Sequence, residues 1–455
     1  MYIARYGHRV QSVSLLFSIN FTPPTLHLSP RISSVNRYRP AFLRKMSHFR
    51  VIEHVTRGQN IRERPGAVKA GHERDIRIAV KQYIPLDNPS PQEGDVTIIG
   101  AHANGFSKEL YEPLWDDIYE ELRSQNQRIR SIWIADVAQQ GQSGVMNESI
   151  LGNDPSWNDH GRDLLYLLNE FEIVQPVIGV GHSMGGMQLA HLSLMHPSLF
   201  EGLILMEPVI QLDNPGRRYA LPSTYRRDLW GSRKEAAEKF RSNPFYQAWD
   251  PRVLQKWLEF GLRDLPTRLY PTPSNTTPPA VTLTTPKAQE VFTFVRPSYI
   301  DERTGIACGN PTEEMYPEDI EEYPLYRPEP SQIFHRLPEL KPSTLYLTGE
   351  NSDLVPPAYR KAKFQITGTG VGGSGGASRG RVQEIVLPCG HLVPMELVNE
   401  SAKASADFIT SAASAWKTRT LKFRKAWEQV SPDEQVRLDK QWEKHVGTLR
   451  KRSKL

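Results

Sequence analysis

The chain has 455 residues, 38% of them hydrophobic and 24% charged, with 36 prolines and a formal net charge of +5. This length and mix fit a globular core with long irregular connections and exclude a mainly disordered chain; no run approaches the roughly 18 consecutive apolar residues of a membrane-spanning helix. The positive charge is terminal, with seven basic and no acidic residues in 1–45 and twelve basic against five acidic in 417–455. Residues 46–416 are therefore net −9, which excludes a fold built around nucleic-acid phosphates. Two cysteines, Cys308 and Cys389, are too few for a disulfide framework and lack the clustered spacing of a zinc site. They imply a reducing compartment and no structural metal.

Residues 1–45 are Arg-rich and acid-free around the apolar stretch VSLLFSIN. The readings are a mitochondrial-type presequence, a secretory signal, disfavoured because no small-residue cleavage site follows the apolar run, or an upstream extension ahead of Met46 that never folds. From there short apolar runs alternate with helical patterns. DIRIAVKQYI (75–84) and DVTIIGAHANG (95–105) read as strands, KELYEPLWDDIYEELRSQ as a helix, and IRSIWIADV as a strand. DHGRDLLYLLNEF follows as a helix, QPVIGVG as a strand, MGGMQLAHLSLMH as a helix stopped by Pro197, and EGLILMEPV as a strand. Continuous runs such as VIGV and LILM suit strands buried on both faces, so the fold class is α/β with a mostly parallel sheet covered by helices.

After Pro208 the alternation stops. Residues 209–340 hold helical pieces (RKEAAEKFRSN, PRVLQKWLEFGLRDL) and then proline-rich, acidic sequence. So long a break between strands predicts a cap or lid. STLYLTG (343–349) and VQEIVLP (382–388) resume the sheet. The expected organisation is thus an extension over 1–45, a core in two parts over 46–208 and 341–415, the cap over 209–340, and a charged helical tail over 416–455. Between the last two strands, Gly368, Gly370 and Gly373 satisfy G-x-G-x-x-G, the dinucleotide fingerprint. That fingerprint needs a helix opening on its last glycine; here a strand follows, so the segment reads as a flexible surface loop without a cofactor.

GHSMGG (181–186) joins the buried run VIGV to a helical pattern. A serine hydroxyl attacks at neutral pH only when a base takes its proton, and a carboxylate must fix the tautomer of that base. A nucleophile elbow meets the first need on a strained strand-to-helix turn, with glycines two positions either side of the serine. Gly181 and Gly185 hold those positions around Ser183. In the order Ser, acid, His, Asp353 follows the strand LYL and His391 follows EIVL, both at the carboxyl edge where open α/β sheets place ligands. Glu207, after the preceding strand, and Glu350, in the loop of Asp353, remain alternatives for the acid. The oxyanion needs two backbone N–H groups. Met184 follows the nucleophile and supplies one; Phe106, after Gly105 in the AHANGF loop, is the choice for the other.

With AHANGFSKELYEPLWDDI, GHSMGG, TGTGVGGSGG and GHLVPME on the page, the sequence resembles the α/β-hydrolase superfamily over roughly residues 50–415. Within it the chain is similar to fungal peroxisomal hydrolases, the group of the yeast peroxisomal lipase and of the hydrolases of AK-type host-selective toxin biosynthesis. The resemblance implies a Ser-Asp-His site at Ser183, Asp353 and His391, no cofactor, and an ester-like substrate.

Ser453, Lys454 and Leu455 form a terminal S-K-L, the address read with its free carboxylate by the helical-repeat peroxisomal import receptor. The expected function is a matrix serine hydrolase that cleaves an acyl ester or thioester, with an apolar acyl pocket shaped by cap residues including Trp230, Trp249, Trp257 and Tyr270. The rival is a non-catalytic scaffold of a biosynthetic assembly, which has no need of an activated serine. Epoxide hydrolases and haloalkane dehalogenases on this fold require a carboxylate at 183 and are disfavoured.

Overall fold

In the computed structural model, residues 48–213, 216–272, 277–320 and 324–452 are described. The expected extension over 1–45 and the tripeptide 453–455 lie outside them.

Six strands carry the near-continuous apolar runs: β3 (Val96–Ala101), β4 (Ile129–Ala135), β5 (Val177–His182), β6 (Gly202–Met206), β7 (Ser343–Gly349) and β8 (Val382–Leu387). Every residue of β3, β5 and β6 is buried, as strands covered on both faces must be. With β1 (Phe49–Arg57) and β2 (Arg77–Pro85) they form one eight-stranded sheet in the order β1-β2-β4-β3-β5-β6-β7-β8. The pairs β1–β2 and β2–β4 are antiparallel and the other neighbours parallel. β1 escaped the sequence reading because FRVIEHVTR alternates only partly, with buried ends and a half-exposed middle at the sheet edge.

The connections between parallel strands carry helices on both faces. α1 (Glu112–Ser124) follows β3, α2 (Asn158–Glu170) precedes β5, and α3 (Met184–Met195) follows it. α3 is buried along most of its length, so its apolar residues surround the helix instead of forming a stripe.

The insertion lies between β6 and β7. It contains α4 (Gly216–Tyr225), α5 (Arg233–Arg241), α6 (Pro251–Phe260) and α7 (Lys287–Phe294), together with a small sheet of Leu229–Trp230, Val281–Leu283 and Leu262–Asp264. The helical reading of PRVLQKWLEFGLRDL holds only to Phe260. The chain turns at Gly261, whose N–H still bonds Trp257 O at 2.8 Å, and enters the strand Leu262–Asp264. After β7 come α8 (Pro357–Ile366) and, beyond β8, the 30-residue α9 (Val398–Trp427). The first half of α9 buries Ala402, Ala406, Ile409 and Ala413 within the core cluster that includes α1; from Lys417 onward it is largely exposed.

The glycine-rich segment 368–376 is not a free loop. Gly368, Gly370 and Ser374 donate to Leu337 O, Pro338 O and Leu340 O, each at 2.8 Å, which fastens it to the preceding turn. The chain then enters β8 through the short helical turn Ala377–Arg379, so no helix opens on the last glycine to receive a pyrophosphate.

Candidate active site

Ser183 sits between β5 and α3 with φ 55° and ψ −115°, a strained conformation for a residue with a side chain. The turn is held by its N–H on Met206 O at 2.9 Å and its carbonyl on Val209 N–H at 3.2 Å. The flanking glycines are steric necessities. A Cβ on Gly181 would lie 2.6 Å from Gly185 O, and one on Gly185 would lie 2.2 Å from Ala101 O. The second contact also shows that the loop after β3 closes directly on the elbow.

His391, in the loop after β8, places Nε2 2.9 Å from Ser183 Oγ. Its Nδ1 lies 3.0 Å from Glu207 Oε2. Glu207 is fully buried and accepts two further bonds, from Gly349 N–H at 2.7 Å and Ser352 Oγ–H at 2.6 Å. Three donors on one carboxylate suit an acceptor-only, ionised group. Nδ1–H then donates to Glu207, and the Nε2 lone pair faces the serine hydroxyl.

The carboxylate beside His391 Nδ1 is Glu207 and not the expected Asp353. Asp353 is half-exposed and faces the insertion instead, with Oδ1 accepting from Tyr219 Oη at 2.9 Å and Oδ2 paired with Arg218 Nη2 at 3.0 Å. Glu350 is exposed and likewise makes no contact with His391. The reason is register. His182 pairs with Met206 across β5 and β6, and Leu347 with Met206 across β7 and β6, so the residue after Met206 emerges beside Ser183. The loop after β7 supports that carboxylate through Gly349 and Ser352 and turns its own acid outward.

Met184 opens α3, so its N–H has no intrahelical acceptor and faces the elbow side. The second donor expected at Phe106 is not free. Its N–H closes a turn on Ala103 O at 3.2 Å, while its ring packs on Trp249 and Trp257 at centroid distances of 5.6 and 6.2 Å. Ala103 N–H goes to Tyr111 Oη at 2.8 Å and Gly105 N–H to Gln140 Oε1 at 2.7 Å. Asn104 N–H is the amide of this turn that none of these bonds engages. Its side chain is fixed by Gln140 and by Glu290 O, the latter at 3.0 Å. His102 braces the same loop, Nδ1 against Ala103 O at 2.8 Å and Nε2 accepting Val137 N–H at 2.9 Å.

A second histidine lies next to the first. His182 is buried with Nδ1 3.0 Å from Tyr111 Oη and Nε2 3.2 Å from His391 O. Tyr111 Oη already accepts from Ala103, so its hydroxyl proton goes to His182 Nδ1 and His182 Nε2–H goes to the His391 carbonyl. This pattern requires a neutral ring, and burial holds the His182 pKa well below the ordinary histidine value. One chain of bonds thereby ties the loop after β3 to the loop carrying His391.

Of the aromatic residues expected to line an acyl pocket, Trp249 and Trp257 pack with Phe106, and Tyr246 and Phe240 connect them to Trp230. Tyr270 stands apart, beside Asp228. Cys308 and Cys389 are both free thiols.

A serine elbow after β5 and a histidine after the last strand of this sheet order are the arrangement of an α/β-hydrolase. Residues 98–408 match the Alpha/beta hydrolase family, to which the chain belongs. Its relatives include the Type I acyl-CoA thioesterase mpaH of Penicillium roqueforti, 40% identical over 372 residues that make up 76% of this chain and 84% of that protein. The Abhydrolase domain-containing protein ACTT2-2 of Alternaria alternata is 29% identical over 262 residues, 56% of this chain and 92% of that one. Among solved structures, the peroxisomal alpha-beta-hydrolase Lpx1 of Saccharomyces cerevisiae superposes with a TM-score of 0.61 over 87% of this chain and 100% of its own, at 16% identity. That last likeness is one of fold.

Proposed function

We propose that the chain hydrolyses an acyl thioester of coenzyme A through Ser183, His391 and Glu207, within fungal secondary metabolism. It is a hydrolase of ester or thioester bonds. The observation that carries the triad is the unbroken string from Ser183 Oγ through the His391 ring to Glu207 Oε2, at 2.9 and 3.0 Å. The choice of thioester rests on the Penicillium relative, whose printed name is an acyl-CoA thioesterase.

In this reading Ser183 Oγ attacks the thioester carbonyl while its proton passes to His391 Nε2. Glu207 keeps Nδ1–H in place and stabilises the imidazolium that forms. The oxyanion is met by the N–H groups of Met184 and Asn104, with Asn104 replacing Phe106 as the second donor. Collapse breaks the C–S bond, and His391 returns the proton to the leaving thiolate. Water, deprotonated by His391, then releases the acid from Ser183. The segment between β6 and β7 acts as the cap, and its Trp249 and Trp257 wall the acyl side with Phe106.

Release of free thiol from acyl-coenzyme A by the purified protein tests the proposal. Ser183→Ala should lower turnover by about three orders of magnitude or more, as loss of a triad nucleophile does. Covalent labelling of Ser183 by a fluorophosphonate would separate this reading from the scaffold, which needs no activated serine. We further propose a peroxisomal address through Ser453-Lys454-Leu455. A fluorescent fusion placed ahead of the chain should be punctate, and it should become diffuse when Leu455 is removed.

A further inference from the structure

The insertion contains a cleft of about 520 Å³ that the mechanism leaves unused. Trp230, Phe240 and Tyr246 form its apolar side, and Arg226, Arg227 and Lys239 its cationic side. The Arg227 guanidinium lies over the Trp230 ring at 5.7 Å, a flat cationic platform on which a purine can stack. Two carboxylates engage these cations from outside the lining: Glu235 pairs with Arg227 at 2.7 Å, and Glu290 pairs with Arg226. Each holds only part of its guanidinium, and Arg226 Nε is a buried donor without a partner among the described residues. Lys239 is exposed on α5 and makes no ion pair among the described residues. The surrounding segment, 216–260, carries ten basic and five acidic residues inside a body that is otherwise acidic.

Partners of the cleft's lining residues reach the loop after β3. Glu290 touches Gly105, where a Cβ would lie 3.0 Å from the carboxylate. On the other side Tyr246 packs on Trp249 and Trp257, at 4.9 and 5.9 Å between centroids, and these in turn pack on Phe106. Tyr246 of the cleft and Phe106 of that loop are thus joined through a single intervening layer, Trp249 and Trp257.

We propose that the cleft seats the phosphorylated adenosine end of coenzyme A, with the thioester threaded past Glu290 to Ser183. This rests on the acyl-CoA reading above. An acyl group alone has no use for three cations, whereas the nucleotide's phosphates supply the opposite charge and its purine the stacking face.

The test compares one acyl group carried on coenzyme A and on N-acetylcysteamine, which keeps the thioester and lacks the nucleotide. In Arg227→Ala/Lys239→Ala, KM for the acyl-CoA should rise about tenfold with kcat unchanged, and both constants for the N-acetylcysteamine thioester should stay at wild-type values. Lys239→Ala alone, at an exposed helix position, should give an intermediate rise. Adenosine 3′,5′-bisphosphate should compete with acyl-CoA in the wild type and bind measurably in calorimetry, with binding lost in the double variant. Unchanged KM for acyl-CoA, or an equal rise for both thioesters, overturns the proposal; the second outcome assigns the cleft to the acyl arm. If the wild type hydrolyses neither thioester, the acyl-CoA reading itself falls. The calorimetric arm then decides the cleft alone, absence of bisphosphate binding overturning it.

Discussion

Glu207 Oε2 lies 3.0 Å from His391 Nδ1, and the Ser352 hydroxyl holds the same oxygen from the other side at 2.6 Å. In the proposed triad the base is thus oriented by an acid that precedes the insertion in the chain, while the loop after β7 supplies only support. Glu207→Gln should keep the fold and lower kcat by about two to four orders of magnitude, because the amide can present the wrong partner to Nδ1. Asp353→Asn should leave kcat within a few-fold. Steady-state kinetics on one acyl thioester decide between them, and the reverse ranking would restore Asp353 as the acid.

His182 is placed to position His391 through its carbonyl. His182→Ala should reduce kcat about tenfold or more with KM little changed, since this ring is buried behind His391. His182→Gln can still donate to His391 O and accept from Tyr111, and should recover much of the loss. Equal damage from both substitutions, with a matching fall in thermal midpoint, would make the ring merely part of the core.

The elbow tolerates no added carbon at 185. Gly185→Ala drives a methyl group into Ala101 O at 2.2 Å, so the β3 loop or the elbow must move. The expected cost is about 2–4 kcal/mol of stability together with loss of turnover. Chemical denaturation of the variant beside wild type measures it.

Lys363 lies buried beside the acid, its Nζ donating to Pro208 O at 3.1 Å. Burial pushes its pKa down from 10.5 to about 8, with Glu207 pulling the other way. Between those two values the unfolded chain binds the proton that the folded chain has released, so stability rises with pH across that window. Lys363→Met removes the group and should flatten the rise. Urea midpoints at pH 7.5 and 9.5 for both proteins read the difference, and parallel shifts would reject it.

Much of this architecture was readable from patterning. Buried runs such as VTIIGA and VIGVGH leave a parallel sheet as the only economical arrangement, and the elbow's glycines mark Ser183 within the sequence. Glu207 was harder because its position depends on which residue of β6 pairs with His182, and register between parallel strands has no local signature. The surroundings of Phe106 were hidden for a similar reason. The bonds that occupy the amides of its turn come from Tyr111 and Gln140, and nothing in AHANGF announces them. β1, half-polar at the sheet edge, carries too little periodicity to be seen alone.

Ser352 and Asp353 are consecutive, yet one touches the buried carboxylate and the other grips Arg218 and Tyr219 of α4. Neighbours on so short a turn cannot shift independently. A displacement of α4 would therefore be felt at the hydroxyl that steadies Glu207. Two adjoining peptide units thus tie a helix of the insertion to the carboxylate beside His391.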